Sequence, residues 1–163
     1  MTARAEGAAP PPGLDGRGLR IGVVRARWNS HIVDRLAQGA GRGLAALGVD
    51  PADLVDITVP GSFELPMGAR ILAASGEVDA VICLGSVIRG ETTHYELVAG
   101  EAAAGVQQAQ IATGVPIAFG ILTTEDEAQA LARSESAGGH NVGEDAAVVA
   151  VEMARLAERF AGR

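Results

Sequence analysis

His94 closes a decapeptide, Gly85-Ser86-Val87-Ile88-Arg89-Gly90-Glu91-Thr92-Thr93-His94, that carries the residue types for proton transfer beside an anion. An imidazole changes charge near neutral pH and can carry protons. Glu91, Thr92 and Thr93 lead into a long Ala-rich helical stretch, and Thr93 with Glu96 has the spacing of a capping box. The free N–H groups and positive dipole end of a helix starting there favour a phosphate. An anion pocket next to an acid/base group implies chemistry on a phosphorylated substrate.

Before this peptide comes the wholly apolar run Ala80 to Leu84, which reads as a buried parallel strand, so the peptide itself reads as a strand-to-helix turn. In open α/β sheets such turns lie at the carboxyl ends of the strands, where ligands bind. Three more strands deliver residues to the same edge. Trp28-Asn29 follow Leu19–Val24, Gly61-Ser62-Phe63-Glu64 follow Leu54–Val59, and Thr123-Thr124 follow Pro116–Leu122, with Phe119 inside that last strand. Aromatic residues make up only 3% of the chain, yet Trp28 and Phe63 both fall here. They are either a stacking platform for a flat heteroaromatic ligand or plugs at the roots of two loops. Glu64 offers acceptors to hydroxyl groups. Arg133, ending the helix after the fourth strand, is placed to reach back over the edge as a bidentate phosphate clamp. Arg89 reads as one half of an ion pair, solvated or at an interface, and Cys83 as a small buried hydrophobe.

The elements that must hold these residues follow from periodicity. Helices are expected over His31–Leu47, stopped by Gly48, over Met67–Ala74 after a turn at Pro60–Pro66, and over Thr93–Thr113. Thr124 and Glu127 form a second capping box for a helix reaching Arg133. A Gly-rich loop from Ser134 to Glu144 precedes a last helix, Asp145–Phe160. This alternation predicts an α/β protein: a flavodoxin-like three-layer α/β/α sandwich with a four-stranded parallel sheet. Residues 19–163 are expected to form one domain. Met1–Gly18, rich in Gly, Ala and Pro, is expected to be a flexible arm.

The net charge is −7 with its basic residues scattered, which argues against nucleic acid or an anionic membrane as partner. Only 20% of residues are charged while 48% are hydrophobic, a lean supply of charge for covering one small domain. Burial between subunits is the natural inference. One cysteine, and no apolar stretch long enough for a signal peptide or membrane span, point to a soluble protein of a reducing compartment, the cytoplasm by default.

Taken in order, Trp28-Asn29, Val59-Pro60-Gly61-Ser62-Phe63-Glu64-Leu65-Pro66, Leu84 to His94, Phe119 to Glu125, Glu127 to Arg133 and Val151-Glu152-Met153 resemble the 6,7-dimethyl-8-ribityllumazine synthase family of riboflavin biosynthesis, over about residues 19 to 160. The resemblance implies condensation of 5-amino-6-(D-ribitylamino)uracil with 3,4-dihydroxy-2-butanone 4-phosphate, without cofactor or metal. It also implies residue roles. Trp28, with Asn29 beside it, matches the aromatic that stacks on the pyrimidine. Ser62, Phe63 and Glu64 match the ribitylamino-pyrimidine site, and Ser86, Val87 and Ile88 the backbone cradle of the uracil edge. Glu91, Thr92 and Arg133 match the phosphate site, His94 the proton-transfer residue, and Phe119 a ring contributed by the neighbouring subunit. A ring of five subunits is implied as the basic unit, and an association with riboflavin synthase is compatible with it.

Three positions depart from the family pattern. Trp28 stands where many bacterial members carry Phe, Glu91 puts a carboxylate beside the phosphate site so that its backbone N–H must be the ligand, and the loop Ser134 to Gly143 is one residue longer, with Val142 where a Lys is usual. That loop and the Pro10 to Pro12 run lean toward isolated pentamers rather than larger shells. Two further classes of function are a non-catalytic flavin- or lumazine-binding protein of the same fold and a structural shell protein. His94 and Arg133, both present, favour the enzyme.

Overall fold

Strands alternate with helices until two helices close the chain: Ile21–Ala26 (β1), Ser30–Ala46 (α1), Leu54–Val59 (β2), Leu65–Ala74 (α2), Ala80–Ile88 (β3), His94–Thr113 (α3), Ile117–Thr124 (β4), Glu127–Leu131 (α4) and Val142–Phe160 (α5). The computed structural model describes residues 9–162. All strands are parallel and their order is β2-β1-β3-β4, so the expected flavodoxin-like α/β/α sandwich is found.

The period-two alternation of a strand sends successive side chains to opposite faces, and here both faces are covered. On one side Ile21, Val23, Ile82 and Leu84 pack with Ile32, Leu36 and Leu44 of α1 and with Ala147 and Val151 of α5. On the other, Val24, Val81, Cys83 and Val87 pack with Leu65 and Leu72 of α2 and with Ala102 and Val106 of α3. β3 lies at the centre with every residue but Ile88 buried. Full burial of an Ile or Leu stabilises by about 1.5–3 kcal/mol. Ile82 and Leu84, neither with any exposed surface, therefore make β3 a firm platform for the residues at its carboxyl end. Burial also pushes the Cys83 thiol up to about 12, as expected for a cysteine that only packs.

Boundaries differ from expectation in physically informative ways. β3 runs on through Gly85, Ser86, Val87 and Ile88, which pair with Ile121 to Thr124 of β4, so only Arg89 to Thr93 are turn. Gly85 is strand because its missing Cβ leaves room for neighbours: a Cβ there would lie 2.5 Å from Ser62 Oγ and 2.9 Å from Leu65 Cδ1. Neither expected capping box forms. Thr93 makes no side-chain cap for α3, and Glu96 turns to Arg89 instead. Thr124 belongs to β4, and the cap of α4 is Asp126, whose carboxylate accepts the Gln129 N–H at 2.8 Å. α5 starts earlier than expected because Asn141, buried, accepts from the N–H groups of Gly143 and Glu144. Gly48, at φ +83°, ends α1 as anticipated.

Of the expected arm, residues 1–8 lie outside the described residues. Its end lies against the body: Gly16 donates to the Leu47 carbonyl at 2.7 Å, and the Arg155 guanidinium donates to the carbonyls of Asp15 and Arg17. Arg17 in turn holds the Asp15 carboxyl at about 2, below the usual carboxylate range.

Candidate active site

From β1 the chain crosses outward to β2 and then returns to place β3 on the other side of β1. Strand order reverses at that point, which opens a crevice at the carboxyl ends of the two strands. A cleft of about 580 Å³ lies there, a size suited to a small organic ligand.

Its walls come from three strand ends. After β1, Trp28 and Asn29 turn away sharply: the N–H groups of Arg27 and Trp28 donate to the carbonyls of Val59 and Pro60, fastening this turn to the end of β2. Asn29 sits at φ +57°, the only non-glycine among the described residues with positive φ, and its Nδ2 donates to the Ser86 carbonyl at 2.8 Å. That bond joins the ends of β1 and β3. Asn tolerates the left-handed region better than other residues because its short polar side chain bonds locally.

After β2 comes a 3-10 turn, Ser62–Glu64. Its entrance is fixed by the Gly61 N–H, which donates to Glu64 Oε2 at 3.1 Å. Ser62 is buried under Gly85, while Phe63 is 59% exposed along the cleft. Trp28, at 75%, is freer still. Such exposure of the chain's lone Trp and a Phe at one cleft means that these rings do not plug the core, and it leaves their faces open to a flat ring.

The third wall is Ser86, Val87 and Ile88 at the end of β3, with His94 on the first turn of α3. Leu97 and Val98, one turn beyond His94, complete the lining together with Pro60 and Gly61. Sequence reasoning does not single out Leu97 and Val98, although spacings of three and four from His94 put them on the same helix face.

Glu91 and Thr92 occupy the exposed turn between β3 and α3, outside the cleft lining. The N–H groups of Gly90, Glu91, Thr92 and Thr93 find no acceptor among the described residues, whereas the His94 N–H donates to Thr92 Oγ1 at 3.3 Å. Consecutive free amides form a concavity suited to an anion.

Besides Glu91 and Thr92 at its rim, two further expected site residues are not brought to this cleft. Arg133 follows α4 and donates to the Gln129 carbonyl at 3.1 Å, so its guanidinium closes its own helix rather than reaching back over the edge. Phe119, 42% exposed on the outermost strand β4, lies outside the lining as well. α4 is short and β4 is an edge, and together they place both side chains away from the β1–β3 crevice.

The reversal of strand order, the stacking surfaces and the imidazole beside unpaired amides define an α/β enzyme that works on a small, partly anionic, partly aromatic substrate set. Comparison with known proteins narrows this. The family model described as 6,7-dimethyl-8-ribityllumazine synthase matches residues 18–158, and the chain belongs to that family. Relatives bearing the name 6,7-dimethyl-8-ribityllumazine synthase, from Paraburkholderia phytofirmans and Paraburkholderia xenovorans, are each 48% identical over 146 residues, covering 90% of this chain and 84% of theirs. A third, from Paraburkholderia phymatum, is 47% identical over the same length and is covered to 82%.

Proposed function

We propose that this chain condenses 5-amino-6-(D-ribitylamino)uracil with 3,4-dihydroxy-2-butanone 4-phosphate to give 6,7-dimethyl-8-ribityllumazine, phosphate and water, the penultimate step of riboflavin formation. The observation that carries the reading is the convergence of Trp28, Ser62–Glu64, Ser86–Ile88 and His94 on one cleft at the β1–β3 crevice. Trp28 stacks on the pyrimidine. Glu64 receives ribityl hydroxyls, and the backbone of Ser86 to Ile88 meets the uracil edge. Asn29 shapes this wall through its bond to Ser86.

The amides of Glu91 and Thr92 bind the phosphate of the second substrate, with the Glu91 carboxylate turned outward. His94, just inside the cleft, shuttles protons as the substrate amine attacks the ketone and the carbinolamine loses water to an imine. Phosphate then leaves by elimination, and the ring closes with loss of water. Holding two substrates in register accounts for much of the rate at a site with few chemical groups.

Arg133 and Phe119 act on the site of a neighbouring copy, which makes the homo-oligomer, a ring of five, the working unit. Exposed apolar side chains support this. Val149, Met153, Leu156 and Phe160 fall on one face of α5, and Met67 and Ile71 line the far side of the sandwich on α2. Different surfaces on opposite faces suit a head-to-tail contact that closes into a ring. No helix among the described residues is long and apolar enough to cross a membrane. We place the reaction in the cytoplasm, where riboflavin synthase would consume the product.

Mixing the two substrates with the protein and recording lumazine absorbance and fluorescence tests the reading. Product formation supports it. A folded protein that binds riboflavin yet forms no product would favour the non-catalytic binding alternative.

A further inference from the structure

Arg89 stands between the end of β3 and the amide turn, and four contacts fix it. Its N–H donates to the Thr124 carbonyl at 2.9 Å, its Nε to Glu125 Oε2 at 2.7 Å, and its NH1 to the Glu96 carboxylate, while the guanidinium lies 4.2 Å from the centre of the Tyr95 ring. Those partners belong to the end of β4 and the first turn of α3. The turn Gly90–Thr93, by contrast, is held among the described residues only at its helix end, where Thr92 Oγ1 accepts the His94 N–H and the Thr93 carbonyl accepts the Leu97 N–H. We propose that Arg89 is a positioning residue for this reaction: it clasps the start of α3 to the end of β4, and so sets the spacing between the phosphate-binding amides and His94.

A direct role as phosphate ligand fits less well. Two carboxylates engage its Nε and NH1 and an aromatic ring covers one face, and the hydrogen bonds to Glu96 and Glu125 raise the Arg89 pKa while the one to Arg89 lowers that of Glu96. Isolated surface ion pairs stabilise little, but a shared guanidinium joining three elements is a network, and networks are the case in which geometry is held. The clasp also explains why Glu96 is drawn away from the capping position that its spacing from Thr93 suggested.

The inference rests on the proposed reaction for its purpose, but phosphate binding tests it without turnover. Inorganic phosphate is titrated into the wild-type protein, Arg89→Met and Glu125→Gln, following the His94 imidazole by NMR, with riboflavin affinity and the KM of each substrate measured alongside. Loss of this network should weaken phosphate about tenfold in Arg89→Met and about threefold in Glu125→Gln. The KM for the butanone phosphate rises in step, with riboflavin affinity and the pyrimidine KM moved less than about twofold.

Glu125→Gln sets the sign. If Arg89 bound phosphate itself, freeing it from Glu125 would tighten phosphate, and that result overturns the clasp. Unchanged phosphate affinity in both variants, equal weakening toward both substrates, or a wild-type protein that binds no phosphate overturns it too. A wild-type protein that binds phosphate in this way yet forms no lumazine refutes the proposed reaction and leaves the clasp standing.

Discussion

Asn29 combines two separable features, a left-handed backbone and a hydrogen bond across the crevice, and two substitutions pull them apart. Asn29→Gly keeps the backbone at φ +57° without strain but deletes the bond from Nδ2 to the Ser86 carbonyl. A hydrogen bond contributes about 0.5–1.5 kcal/mol net, and the freedom of glycine in the unfolded chain costs about 0.5–1 kcal/mol more, so a loss of about 1–2.5 kcal/mol is expected. Asn29→Ala deletes the same bond without the glycine cost, but it forces a Cβ into the left-handed region at about 1–2 kcal/mol. Alanine should therefore fall below glycine by about 0.5–1 kcal/mol, an inversion of the usual order inside helices. Urea unfolding at fixed protein concentration reads both differences as shifts in midpoint at constant slope. Both variants should also raise the KM for the pyrimidine, because the ends of β1 and β3 lose their link. If alanine proved as stable as glycine, the backbone argument would fail. Were both as stable as wild type, the bond would contribute nothing.

Other outcomes rest on the same geometry. His94→Ala should lower turnover about tenfold or more with substrate affinity little changed, measured as kcat against KM, the outcome expected of the proposed role in which the imidazole moves protons rather than binding. Arg133→Ala should weaken the butanone phosphate by about 1.5–3 kcal/mol and spare the pyrimidine, the signature of a lost charged hydrogen bond. Co-refolding His94→Ala with Arg133→Ala chains should then restore activity at roughly a quarter of the sites, because each boundary can pair one intact half from each copy; no recovery would place both residues in one subunit's site. Cys83 should resist thiol reagents in the folded protein at neutral pH. Its folded pKa of about 12 lies above the ordinary value of 9.0, so the stability it contributes is complete below 9.0 and is lost as pH rises from there toward 12, which alkaline unfolding with and without Cys83→Ala would read.

Much of this architecture is legible in the chain itself. Unbroken apolar runs such as Ala80 to Leu84 announce doubly covered strands, and Gly48 announces the end of α1. The edge that collects Trp28, Phe63 and His94 follows from strand–helix alternation alone. What misleads is local chemistry that tertiary partners redirect. Gly85 looks like a turn because glycine marks turns, but here it lets β3 pass close against Ser62. Thr93 and Thr124 stand at capping distance from a glutamate, yet Glu96 pairs with Arg89 and Glu127 with His31, partners far off in sequence or on another element. Asn141 is readable as a cap, being followed by Glu144 three residues on, but the glycines around it hide the signal. Phe119 and Arg133 mark a limit of another kind. Periodicity places each on its own element, but nothing in it says that the element turns the side chain away from the β1–β3 crevice.

The link from Asn29 to Ser86 spans 57 residues, and the contact of Trp28 with Pro60 closes a loop of its own. Entropy must be surrendered to close such loops before the contacts repay it, and the pairing of β1 with β3 and with β2 closes the same two loops, so these bonds form with the native sheet and not ahead of it. A compact intermediate with helices formed but β1, β2 and β3 not yet paired in native order would have no cleft. Ligand binding would then count only fully native molecules, and a tightly bound flavin would protect the chain against unfolding by a free energy that grows with the logarithm of its concentration over its Kd. The crevice proposed to hold the substrate thus offers a direct gauge of how much of the protein has finished folding.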